Sequence, residues 1–180
     1  DRKENLVTGK KKPLLKDLRP NKGKSLMLLV DSFVAIDIET TGLSPAYDEI
    51  IELGAVRYEK GKKVASFTSL VNPQNSVEDY ITDLTGISNA MLENAPPIEQ
   101  VLPQFLDFLG SGVLVGHNVN FDINFLYDAC EEEGLPPFNN DYVDTMRIAK
   151  RMYKELRHYR LDDILEKLQF NPRSLHRGLE

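Results

Sequence analysis

At 180 residues, with 41% apolar and 28% charged side chains, the chain has the length of one domain and enough apolar material for a sizeable core. No apolar run approaches the roughly 18–20 residues that cross a bilayer and there is no signal-peptide pattern, which excludes a spanning helix and gives no reason to expect a membrane partner. The one cysteine, Cys130, cannot close an internal disulfide, which fits a reducing, cytoplasmic compartment.

The net charge of −6 is unevenly spread: residues 1–24 hold nine Lys/Arg against three acids, so the remaining chain carries −12. Residues 1–24 read as a basic, flexible arm or linker, with phosphate binding as the other use of such charge. The chain opens on Asp1 rather than Met, and the expectation is a piece of a longer protein. The folded domain is expected over 25–180. Its first strand is predicted at 32–38, a second at 49–58 and a third at 64–71. Glu59-Lys60-Gly61-Lys62 is a short, turn-like link, so the last two strands form an antiparallel hairpin. Residues 76–97 predict two short helices around Leu84-Thr85-Gly86-Ile87. Apolar residues at helical spacing predict a helix over 98–109. A short strand at 113–115 precedes a helix at 121–133, closed by Gly134 and two prolines. A last strand at 141–143 is followed by helices at 144–153 and 161–168. This order implies a mixed α/β sheet flanked by helices. Arg147, Lys150, Arg151, Lys154, Arg157 and Arg160 fall at spacings of three and four, either a phosphate-binding stripe on one helix side or a solvated face.

Asp37 and Glu39 interrupt the first strand at its turn end. Side chains two apart on a strand share a face, so two carboxylates stand together, repelling each other and losing hydration. Three readings stay open on this evidence: a polar strand end, an acid pair with an Arg or Lys partner, or a site for a hard divalent cation. In "LVGHNVNFDINFL" (114–126), Asp122 falls near a helix start, where an acid also favours the helix dipole. The "SLHRGLE" segment (174–180) puts His176 in a polar stretch.

The order Asp-x-Glu-Thr-Thr-Gly, Gly-His-Asn-x-x-Phe-Asp, then His-Arg-Gly-Leu-Glu resembles the DEDDh (DnaQ-like) 3′→5′ exonucleases, from about Phe33 to Glu180. The stretch "ETTGLSPAYDEIIELGAV" looks especially like the exonuclease domain of PolC-type bacterial polymerase III, beside the proofreading epsilon subunit. The resemblance implies an RNase H-like, five-stranded sheet of order 3-2-1-4-5. It further implies two Mg²⁺ or Mn²⁺ ions about 3.5–4 Å apart on Asp37, Glu39 and Asp122, clamping a scissile phosphate. By the same likeness His176 is the general base, since an imidazole titrates near working pH. His117 would be structural and His158 solvated. Thr40, Leu43, Thr85 and Phe121 match positions around the terminal nucleotide; packing or turn stabilisation is the other reading of Thr40, Leu43 and Phe121.

The pattern's fourth metal-binding aspartate would lie one residue beyond Glu180. A carboxylate one place early on a helix points about 100° away, so the expectation is a continuation past Glu180 and impaired activity without it. The function so implied is release of nucleoside 5′-monophosphates from the 3′ end of single-stranded DNA, as proofreading for a replicative DNA polymerase that would be its partner. The alternatives are the same chemistry on RNA, as in oligoribonuclease or RNase T, and a non-catalytic module that binds 3′ ends or a polymerase.

Overall fold

A computed structural model of the protein describes residues 19–170. One sheet organises the fold. Strands β1 (Ser25–Leu26), β2 (Phe33–Thr40), β3 (Ile50–Glu59), β4 (Lys62–Leu70), β5 (Leu114–Gly116) and β6 (Tyr142–Asp144) lie in the order β1-β6-β5-β2-β3-β4. The β2–β3–β4 meander is antiparallel, while β5 runs parallel to β2, β6 to β5 and β1 to β6. Counted from β2, this is the expected 3-2-1-4-5 order.

The sixth strand is a correction. Only two residues long, β1 has no periodicity to announce it, and backbone proximity makes it. Gly23 passes so close to the neighbouring chain that a Cβ would lie 1.8 Å from the Asn140 carbonyl oxygen. Lys24 N–H then donates to the Asp141 carboxylate at 2.7 Å, and Tyr142 N–H to the Lys24 carbonyl at 3.0 Å. The last six residues of the expected arm are therefore held against the body.

The helices are α1 (Asp79–Thr85), α2 (Asn89–Leu92), α3 (Ile98–Leu109), α4 (Asn120–Glu132), α5 (Thr145–Met152) and α6 (Leu161–Lys167). Val101, Leu102, Phe105 and Leu109 form the buried stripe of α3. They join Val34, Ile36 and Ile38 of β2 and Leu53 and Ala55 of β3 in the main core, with Ile123 and Leu126 from α4. The basic stripe expected over 147–160 is not one helix side. Helix α5 stops at Met152, Lys154 and Arg157 lie between helices, and Arg160 is the N-cap of α6.

Between Glu39 and Thr40 the β2–β3 register slips, pairing Glu39 with Glu52 but Thr40 with Ile50. Ile51 is the extra residue of this bulge. It leaves the main core, which keeps Ile50 and Leu53, and packs with Val77, Ile81, Ile87 and Leu92 in a second cluster against Leu70. The bulge thereby seats α1 and α2 on the sheet face that carries the acids.

Candidate active site

Strand β2 buries Val34, Ile36, Ile38 and Thr40 and turns Ala35, Asp37 and Glu39 to the other face. Asp122 arrives from α4, whose first turn begins just after β5 ends. The Val34 N–H bonds to the Val113 carbonyl, so amides of even-numbered β2 residues face β5. The pairing of β2 with β5 ends at Ala35 and Val115. Beyond that last rung the amide of Ile38 faces the Asp122 carboxylate and favours its charged form. The buried acid thus lies within electrostatic reach of both β2 acids.

The electrostatics follow from this placement. Burial pushes the Asp122 carboxyl well up, the Asp37 and Glu39 charges push further, and the Ile38 amide opposes them. Burial likewise raises Asp37, although its side chain remains open to solvent at the mouth of the recess. Glu39 is pushed up to about 7, first by burial, then by Asp37 and Glu52. Glu52 was not a candidate in the sequence. It stands directly across from Glu39, and the signal was a lone acid inside the otherwise apolar "IIELGAV" strand.

A loop over 41–49 joins the acid-bearing end of β2 to β3. Ser44 N–H donates to Asp48 at 2.8 Å, Glu49 N–H to the Thr41 hydroxyl at 2.9 Å, and Thr41 N–H to the Glu49 carbonyl at 2.9 Å. Gly42 is needed for closure, because a Cβ there would meet the Asp48 carboxyl at 2.5 Å. The Glu49 carboxylate accepts from the amides of Gln74 (2.7 Å) and Asn75 (3.1 Å). From this braced loop Leu43 projects with 86% of its surface exposed. Thr40 is buried, its hydroxyl donating to the Gly42 carbonyl at 2.6 Å. Thr85 is also buried and closes α1, donating to Ile81 and accepting from the Ile87 amide. Both hydroxyl protons are engaged inside the protein. Phe121 is half-buried against Phe125, ring centres 4.9 Å apart.

His117 is held on both ring nitrogens. The Tyr159 carbonyl can only accept, so Nε2–H donates to it at 2.6 Å, while Nδ1 pairs with the Thr145 hydroxyl at 2.9 Å. His158 is exposed. His176 and Glu180 lie outside the described residues.

Among the described residues no group of three or more His, Cys, Asp or Glu side chains forms a ready cage for a metal ion. The donor chemistry nonetheless suits one. Asp37, Glu39 and Asp122 are all oxygen donors raised by burial, Glu39 and Asp122 also by their acidic neighbours, and a hard divalent cation would relieve that repulsion.

Sheet order and flanking helices define an RNase H-like exonuclease fold. The chain belongs to the exonuclease family, DEDDh type: the RNase_T exonuclease family matches residues 34–180. It is 43% identical over 158 residues to the PolC-type DNA polymerase III of Caldanaerobacter subterraneus subsp. tengcongensis, covering 88% of this chain and 11% of that protein. It is 39% identical to the DNA polymerase III subunit epsilon of Aquifex aeolicus, covering 85% and 76% respectively. Among solved structures, the nuclease domain of 3′hExo, a DEDDh family member bound to rAMP, superposes with a TM-score of 0.70 at 26% identity, covering 83% of this chain and 84% of that one. The chain thus spans about a tenth of the PolC-type relatives it matches.

Proposed function

We propose that the chain hydrolyses the terminal phosphodiester at the 3′ end of single-stranded DNA, releasing nucleoside 5′-monophosphates, and that it proofreads for a replicative polymerase. The observation that carries this reading is the electrostatic meeting of Asp122 with Asp37 and Glu39, at the strand end that leads into a loop with an exposed Leu43. Kinship with two polymerase III proteins supports the DNA substrate and the polymerase partner.

In this reading Asp37, Glu39 and Asp122 hold Mg²⁺ or Mn²⁺. The bound cations supply Lewis-acid stabilisation of charge on the phosphate oxygens. The chain's own residues do the rest. The Ile38 amide keeps Asp122 oriented. The 41–49 loop sets Leu43 against the terminal base, with Phe121 beside Asp122 and the Thr85-Gly86-Ile87 turn bounding the nucleotide. His176 accepts the proton of the attacking water.

The test uses oligonucleotides labelled at one end or the other, as DNA and as matched RNA. Loss of the 3′ label as mononucleotide from DNA is expected. Asp37→Asn should slow release at least about 100-fold, more than is typical for a residue that merely supports a metal ligand. Unchanged release by that variant would remove the enzymatic assignment, and faster release from RNA would move the substrate to RNA, a reading that the rAMP-bound neighbour keeps in view.

A further inference from the structure

Strand β4 closes one side of the sheet, and among the described residues no strand pairs with its outer edge. Natural edges of this kind are blunted by lysines, prolines or bulges that discourage pairing with another chain. Here such devices sit at the hairpin end. Lys62 and Lys63 open the strand, and Val64 is an extra residue, since Arg57 pairs with Ala65 but Tyr58 with Lys63. The far end is covered: the Asn72 N–H donates to the Pro96 carbonyl at 2.9 Å, and Asn72 bridges Pro97. Between these limits Ala65-Ser66-Phe67-Thr68-Ser69-Leu70 contains no charge, no proline and no bulge.

The direction of its backbone groups follows from one bond. The Val71 N–H donates to the Ile51 carbonyl at 2.8 Å, toward β3. Antiparallel partners bond at alternate residues, so Ser69, Phe67 and Ala65 also turn toward β3, while Leu70, Thr68 and Ser66 turn outward. The strand is firmly seated as it does so. Phe67 packs on Phe105 and Phe108 of α3, with ring centres 5.4 and 5.8 Å away.

We propose that a second copy of this chain pairs with β4, antiparallel and centred on Thr68. Thr68 then faces its own counterpart, and Ser66 faces Leu70 in both directions, for about six backbone bonds. The two-fold axis closes this assembly at two copies. Charge selects the orientation. Parallel pairing in register would set the lysines of one copy against those of the other, whereas antiparallel pairing carries Lys62 and Lys63 past Leu70 to the Asn72 end. Two exposed acids belong to that end: Glu93, whose carbonyl accepts from the Asn72 side chain at 3.4 Å, and Glu99, just beyond Pro97. Asp37 and Glu39 lie on β2, two strands inward, and take no part in the pairing. This inference does not depend on the exonuclease reading.

Sedimentation equilibrium of the 180-residue chain tests it. Twice the monomer mass of 20.4 kDa is expected at about 100 μM, falling to the monomer on dilution toward about 1 μM, as suits a small interface. Thr68→Pro removes an outward amide, a change that edge strands tolerate, and should hold the chain at the monomer mass with its circular dichroism unchanged. Thr68→Lys sets like charges across the axis and should do the same. Under mild oxidation Thr68→Cys should cross-link to its counterpart at least about tenfold faster than Val64→Cys, because only Thr68 meets itself across the axis at disulfide range. Cys130 is buried and does not compete. A monomer mass throughout for the unaltered chain would overturn the proposal. So would a dimer that survives both Thr68 substitutions, or cross-linking that is equally fast through Val64. Slow hydrogen exchange at the Ser66 and Thr68 amides of the dilute monomer would also overturn it, by showing that the chain covers its own edge.

Discussion

Glu39 illustrates how a single side chain links folding to pH. An unfolded glutamate titrates near 4.5, whereas the folded one is pushed up to about 7, so between these values the native state binds more protons. The contribution is full below about pH 4.5 and is lost as pH rises through 7. Without divalent cations, urea unfolding should therefore show stability falling across that window, by on the order of 2 kcal/mol. Glu39→Gln should flatten the slope and stabilise the chelated protein at pH 8, although it removes a proposed cation ligand. At this scale the ordered motifs single out Asp37, Glu39 and Asp122, and the fold brings these acids within electrostatic reach of one another. The sequence's one signal for Glu52 was a lone acid in an apolar strand, because facing Glu39 depends on the register of the β2–β3 pair. Nor did it show that the Thr40 and Thr85 hydroxyls are engaged inside the protein, because that depends on turn closure.

Among the elements, the long periodic ones were legible. The α3 stripe occupies the residues its spacing predicts, and the meander follows from strands separated by short turns. What escaped was non-local. Strand β1 exists because Gly23 lets two backbones approach, and α5 ends at Met152 although the basic spacing continues beyond it. Gly23→Ala should displace β1, costing about 1–3 kcal/mol, with faster exchange at Leu26 and Tyr142 as the signature. Asp128→Ala should cost more, about 3 kcal/mol, because it strands the buried Arg19 guanidinium. Replacing both partners with apolar residues should recover much of that loss, and denaturant midpoints for the three variants would show whether it does.

Taken as a whole, the molecule holds mutually repelling acids in place with a sheet, and anything that relieves the repulsion should stabilise it. Mn²⁺ or Mg²⁺ at 100 times its dissociation constant should add about 2.7 kcal/mol. A thermal scan should show that rise, and Asp122→Asn should abolish it. His117 ties the turn after β5 to the chain just before α6, so His117→Ala should loosen the start of α6, seen as faster exchange at Ile164, for a cost of about 1 kcal/mol. The alternation along β2 has one more consequence. A slip of a single residue would bury Asp37 and Glu39 and expose Ile36 and Ile38. Misaligned chains would be catalytically silent rather than merely slow, so the turnover left after heat or storage should count the correctly zipped molecules in a sample.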